Sequence, residues 1–352
     1  MEEPTARSTL RFAIMYTGQQ RTLTKVFPFF IQNVVVPLLV SSDDACVDVF
    51  AVVQDCTDDT IAFMKESLGD RLRSCDKFDR NASKMYTHLQ STLADRMQIS
   101  DRWKEYLVGG GSMVEYYQLF LANIRMESYE SSVGMVYDYV LRVRTDVIIA
   151  RPIDVSWLQW TPAEIEHTLR TIESTDAEQR VCTFMNSLLR GSDPKCGWIR
   201  DVRAENKTAD SCWFWQGVGI TDNASITGDV LHKYIHTGKY VLAMRSNLTY
   251  FCPRKCIIYP AKLGIQYGAI RGPPNLDYWF NAECQFRLVC ESGGATVFDS
   301  CTRKEDLSVC DYKTERYFAN HKHNDDDNIE VNLNTIIDID PDIFCIICRH
   351  AS

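Results

Sequence analysis

Two guanidiniums and a carboxylate fall within five residues at Arg142, Arg144 and Asp146, directly after Tyr137-Asp138-Tyr139-Val140-Leu141. Paired arginines can grip an anionic ligand, and a carboxylate beside them can take a divalent cation or a sugar hydroxyl. The plainer reading is an Arg–Asp ion pair that closes a strand end. A second candidate is Gly18-Gln19-Gln20-Arg21, with Thr17 before it. Glycine there permits close backbone approach to a nucleotide, and Arg21 can reach a phosphate; otherwise it is a tight turn with a surface arginine. Asp55 ends another apolar run and reads equally as a helix cap. Two further carboxylates, Asp210 and Glu283, compete for the role of a base, each against a plain capping or solvated role.

The cysteines offer a rival chemistry. Cys252-x-x-x-Cys256 and Cys345-x-x-Cys348 with His350 have a spacing that four-ligand zinc sites use. Cys345 and Cys348 lie in an apolar segment, however, where free cysteine behaves as a small hydrophobe. His321 and His323 sit in an acidic tail and read as solvated, with metal ligation as the alternative.

These candidates need elements to position them. Residues 11–17 read as a buried strand and 22–40 as a helix, with Phe27, Phe30, Ile31 and Val34 at helical spacing. Residues 47–53 form a second strand, and Thr57-Asp58-Asp59-Thr60 opens a helix with acids in its first turn. Helices are expected over 84–107 and 112–129, then a strand from Tyr137 through Asp146 that continues to Ala150. Beyond it come a long loop at 186–212, a strand at 213–220, a helix at 224–237, a strand at 239–243 and a helix at 281–292. Alternating strands and helices predict an α/β fold, a mostly parallel sheet flanked by helices. In such sheets ligands bind at the carboxyl ends of the strands, where Thr17 to Arg21, Asp55 and Arg144 to Asp146 emerge.

The combination of Tyr16 to Thr22, Asp55 and Tyr137 to Val147, with looser matches over Asp210 to Gly219 and Ala282 to Phe286, resembles a group of soluble glycosyltransferases. These are of the kind encoded by large DNA viruses and by bacterial polysaccharide loci. The resemblance implies a GT-A-like domain, with a nucleotide-sugar-binding half at 1–155 and a smaller acceptor-binding half at 156–352. It implies a UDP- or GDP-linked sugar donor, a glycan acceptor and a divalent cation, Mn²⁺ or Mg²⁺, at Asp146. Thr17, Gly18, Arg21, Asp55, Arg142 and Arg144 would contact the donor, and Asp146, Glu283 and Asp210 would serve catalysis. One departure stands out. The usual Asp-x-Asp motif has Arg144 in its first position here, exchanging a carboxylate for a cation. That change points either to weak metal binding or to an arginine that neutralises the diphosphate itself. Two other readings remain: a sugar-phosphate nucleotidylyltransferase, whose usual glycine-rich loop is missing, and a non-catalytic glycan-binding protein on a degenerate transferase fold.

Composition bounds the rest. The 352 residues are 45% hydrophobic and 24% charged, enough for a sizeable core and unlike a disordered or collagenous chain. A net charge of −9, with no basic block, argues against nucleic-acid binding through phosphate charge. No apolar stretch approaches the length of a membrane span, and no signal peptide is visible. The 14 cysteines then read as reduced thiols in a cytoplasmic protein. Sequons at Asn81, Asn206, Asn223 and Asn247 would suit a luminal enzyme instead.

Overall fold

The computed structural model describes residues 9–80, 88, 92, 111–149, 151–173, 177–190, 226–245, 248–265, 282–299 and 345–347. Strand β1 (Arg11–Gln19) is followed by helix α1 (Leu23–Phe30). A wider turn over Ile31–Val35 joins α1 to α2 (Val36–Leu39). Pro37 explains that turn, because it has no N–H to return to the carbonyl of Asn33. That carbonyl instead accepts from the backbone N–H of Ile153 at 2.9 Å. The Asn33 side chain donates to the carbonyl of Ile149 at 2.7 Å, so the irregularity anchors the helix to the chain just past Asp146.

Strand β2 (Cys46–Gln54) leads to α3 (Asp58–Leu68), whose N-cap Thr57 accepts from the Thr60 N–H at 3.2 Å. Strand β3 (Leu72–Phe78) follows. A long helix, α4 (Gly111–Val133), precedes β4 (Tyr139–Arg144) and β5 (Val147–Ile149). The second half supplies α5 (Pro162–Thr171), α6 (Ala177–Ser187), α7 (Gly228–Thr237), β6 (Tyr240–Arg245), β7 (Thr249–Pro253), α8 (Ala282–Ser292), β8 (Thr296–Asp299) and β9 (Cys345–Ile347).

Seven strands form one sheet in the order β3-β2-β1-β4-β7-β6-β8. Only β7 runs against the others: its pairings with β4 and β6 are antiparallel, and all remaining pairings are parallel. The α/β expectation of a mostly parallel sheet flanked by helices therefore holds. The sheet is continuous across the two halves of the chain, taking β1 to β4 from the first and β6 to β8 from the second.

Alternate residues of each strand feed two cores, as the pleat requires. Phe12, Ile14 and Tyr16 of β1 join Phe27, Phe30, Met64, Ile165 and Leu231 on one face. Ala13 and Met15 join Leu119, Ala122, Met126, Phe286 and Cys290 on the other. Burial on both faces explains why the central strands read as nearly continuous apolar runs.

Three expectations need adjustment, one of them at the start of the loop expected over 186–212, where Asn186 and Ser187 end α6 and Leu188–Arg190 form a tight helical turn. The stretch from Tyr137 to Ala150 is not one strand. After β4 the chain turns at Thr145-Asp146, and β5 leaves the main sheet to pair antiparallel with β9 in a small second sheet. Residues 162–171 also form a helix that the loosened pattern past 150 did not suggest, held by a capping box between Thr161 and Glu164. The expected strand at 213–220, and the expected helix at 84–107 apart from His88 and Thr92, which are helical, lie outside the described residues. No described helix is long and apolar enough to cross a membrane.

Candidate functional site at the carboxyl edge of the sheet

Strands β1, β2 and β3 step outward in one direction, and β4 then takes the other side of β1. That reversal makes the ends of β1 and β4 a topological switch point, the position at which open α/β sheets bind their ligands. Thr17 pairs with Arg144 across it, and Gly18 and Gln19 pair with Val53 and Gln54 on the β2 side. The structure thus brings Thr17, Gly18, Arg21, Asp55, Arg142, Arg144 and Asp146 to one edge of one sheet.

The turn after β4 is locked to the end of β1. The Thr145 N–H donates to the Thr17 carbonyl at 3.2 Å, and the Thr145 hydroxyl donates to the Gln19 carbonyl at 2.6 Å. Gly18 has φ 151°, and a Cβ built there would collide with Oγ1 of Thr145. Glycine is needed here so that the Thr145 side chain can cross β1. The Gly18 carbonyl accepts from the Gln118 amide at 3.0 Å.

Asp146 is 1% exposed, and Arg144 grips it with both arms: Nε lies 2.8 Å from Oδ1 and Nη2 lies 2.6 Å from Oδ2. The third nitrogen, Nη1, donates to Oε1 of Glu115 at 2.7 Å. Arg142 is 2% exposed and less well served. Its Nε lies 3.4 Å from Oγ1 of Thr17, and its Nη2 lies 3.7 Å from Oε2 of Glu115. Glu115 comes from the second turn of α4, so one helix supplies the carboxylate that both arginines share. Burial, and then the charge of Asp146, push the Tyr16 phenol above its ordinary range, and its buried hydroxyl has no hydrogen-bond partner among the described residues.

The outer rim is polar and open. Asp55 adopts φ 58°, and its Oδ2 accepts from the Gln19 amide at 2.8 Å and the Gln54 amide at 3.0 Å. Gln20 ties the rim down by accepting the Thr57 N–H at 2.9 Å. Arg21 is exposed at the start of α1 and makes no ion pair with a described residue.

The divalent cation implied by the resemblance does not fit these residues as they stand. Both oxygens of Asp146 already take guanidinium donors, and Glu115 is bound by Arg144 as well. Among the described residues no group of three His, Cys, Asp or Glu side chains could hold a metal ion. Cys252 and Cys256 are buried free thiols in the core beneath α4 and α8, while Cys345 belongs to β9. Cys348, His350, His321 and His323 lie outside the described residues.

No family model matches the chain, and neither a curated protein nor a solved structure matches it. The site therefore has to be judged on its own geometry. Glu283 falls in the first turn of α8, but its side chain, like the whole of Asp210, lies outside the described residues. Sequence reasoning missed Glu115, Gln118 and Thr145. Glu115 and Gln118 sit one helical turn apart, but nothing in the spacing says that their helix crosses the end of β4.

Proposed function

We propose that the protein is a glycosyltransferase that moves a sugar from a nucleotide-sugar donor to a hydroxyl of a glycan acceptor. The observation that carries this reading is the switch point between β1 and β4, with Arg21 exposed on one side and the Arg142–Arg144–Asp146 cluster on the other. Open α/β sheets bind nucleotides at such points, and a diphosphate requires positive charge there. The lone antiparallel strand and the small sheet directly after Asp146 are compatible with a GT-A-like fold.

In this reading the diphosphate lies across the ends of β1 and β4. Arg21 neutralises it from the solvent side and stabilises the charge that develops as the glycosidic bond to the donor breaks. Thr145 and Gln118 fix the two strand ends, so the electrostatic environment is set before the donor arrives. The acceptor hydroxyl loses its proton to a carboxylate of the second half, with Asp210 and Glu283 as the candidates.

One observation favours a second reading, a non-catalytic glycan-binding protein on the same sheet: both Asp146 oxygens are closed off by Arg144. Donor hydrolysis separates the two. A panel of UDP- and GDP-sugars incubated with the protein should release nucleoside diphosphate slowly, with water as acceptor, and should raise its melting temperature by mass action. Raised melting temperature without any release supports the non-catalytic reading. Neither effect with any donor refutes the transferase reading.

A further inference from the structure

Cys56 and Cys75 are 19 residues apart in sequence, yet they meet on one face of the sheet. Asp55, at φ 58°, turns the chain after β2, and Cys56 joins the core cluster of Ala51, Val53, Met64 and Leu68. Cys75 pairs with Ala51 across the β2–β3 ladder and packs against that same cluster. The two thiols are hydrogen-bonded to each other. The Cys56 S–H is turned to the Thr57 carbonyl at 3.7 Å, which leaves its sulfur as the acceptor from Cys75. Both are free thiols; Cys56 is 8% exposed, and Cys75 is more open, on an edge strand. Cys46, by contrast, bonds the Asp48 carboxylate at 3.6 Å, and Cys252, Cys256 and Cys290 are sealed in the core.

We propose that Cys56 and Cys75 are a redox-active pair that a hydroperoxide closes into a reversible disulfide, stapling the Asp55 turn to the edge strand β3. The Cys56 sulfur attacks a peroxide oxygen as its thiolate and becomes a sulfenic acid. The O–O bond breaks, and the departing hydroxide takes up the thiol proton as water. The Cys75 sulfur then attacks the sulfenic sulfur, the S–O bond breaks, and a second water leaves with the Cys75 proton. Each sulfur gives up one electron, and the peroxide is reduced to two waters. Burial, and then the Cys56 sulfur, push the Cys75 thiol up to about 12, and burial raises Cys56 as well. Few thiolates at neutral pH make the first step slow. Thiols of high pKa are also poor leaving groups, so the disulfide is slow to be reduced once formed. Cys56 lies between Asp55 and Thr57, which bond Gln19, Gln54 and Gln20, so the staple bears directly on the rim of the candidate site. The disulfide stands whether or not that rim binds a sugar donor.

The test treats the folded full chain, reduced and then freed of reductant, with a small excess of hydrogen peroxide. Remaining thiols are alkylated, and the digest is mapped by tandem mass spectrometry without reduction. A peptide linking Cys56 to Cys75 should appear in most chains, and dithiothreitol should remove it. The oxidised chain should melt a few degrees above the reduced one, because closing that loop lowers the entropy of the unfolded chain. Cys75→Ser should lose both the linked peptide and the melting shift, whereas Cys46→Ser should keep both. Three results overturn the proposal: both thiols still reduced, each oxidised separately to a sulfinic acid, or either one linked to a different cysteine. The wild-type map alone decides among these, whatever the stability of the variants. None of these results depends on donor turnover, so failure here is distinguishable from failure of the transferase reading.

Discussion

Among the described residues, one buried carboxylate lies within a sheet strand and another just past a strand end, and each is answered by an arginine in a different way. Asp48 lies near the amino end of β2. Its Oδ1 accepts from Arg73 at 2.6 Å and its Oδ2 from the Tyr137 hydroxyl at 2.7 Å. One charge meets one charge, each carboxylate oxygen has a donor, and Arg73 is partly open to water. Asp146 lies beyond the carboxyl end of β4. There two arginines and two carboxylates meet, and Arg142 is left with one long hydrogen bond and one long ion pair. The first arrangement is closed and self-sufficient. The second joins two arginines through one shared carboxylate, Glu115, and it sits at the switch point where a ligand would enter. Buried ion pairs as a class say little about function; the location of the second is what distinguishes it.

That contrast breaks most visibly at Asp146. Asp146→Ala should lower donor turnover about a hundredfold, because the cluster that fixes charge at the leaving group is disrupted. It should also lower unfolding free energy by about 3 kcal/mol, since a buried guanidinium loses its main partner. Activity per folded molecule, measured beside urea unfolding, separates the two effects. Asp48→Ala should show the stability loss alone, again about 3 kcal/mol, with turnover per folded molecule unchanged. Equal loss of turnover in both variants would erase the distinction.

Arg21→Ala should sharpen the same comparison. An exposed side chain without an ion pair to any described residue contributes little to folding, so stability should stay within about 0.5 kcal/mol. Nucleoside diphosphate affinity should fall about tenfold, read by calorimetry.

The smallest effect is expected at Glu164, far from either cluster. Its carboxylate accepts the Thr161 backbone N–H and then the Thr161 hydroxyl, which hold its pKa below the ordinary range. A depressed pKa in the folded state adds stability above the unfolded value and loses it as pH falls through the folded one. Glu164→Ala should therefore melt slightly below wild type at neutral pH, and the two curves should converge as pH falls below the depressed pKa of Glu164.

Much of the first half was legible because its strands are buried on both faces. Apolar runs such as Phe12 to Tyr16 and Val47 to Val53 admit few other readings, and Thr57 announced its helix through the acids after it. Strand β3, Leu-Arg-Ser-Cys-Asp-Lys-Phe, was not legible. It is an edge strand with only Phe78 buried, so no apolar run marks it. The break between β4 and β5 was hidden for the opposite reason: both are buried throughout or nearly so, and the turn between them is set by Thr145 reaching across to β1. At the site, Arg142, Arg144 and Asp146 were visible from local spacing alone. Their pairing with Glu115 was not, since it depends on where α4 crosses the sheet, a tertiary fact with no local signal.

The most direct measurement is a crystal structure of the chain soaked with UDP and with GDP in the presence of EDTA. The account predicts a diphosphate between the ends of β1 and β4, within hydrogen-bond reach of Arg21, with Arg144 still joined to Asp146. A diphosphate bound elsewhere, with Arg21 and the β1–β4 crevice empty, would contradict it.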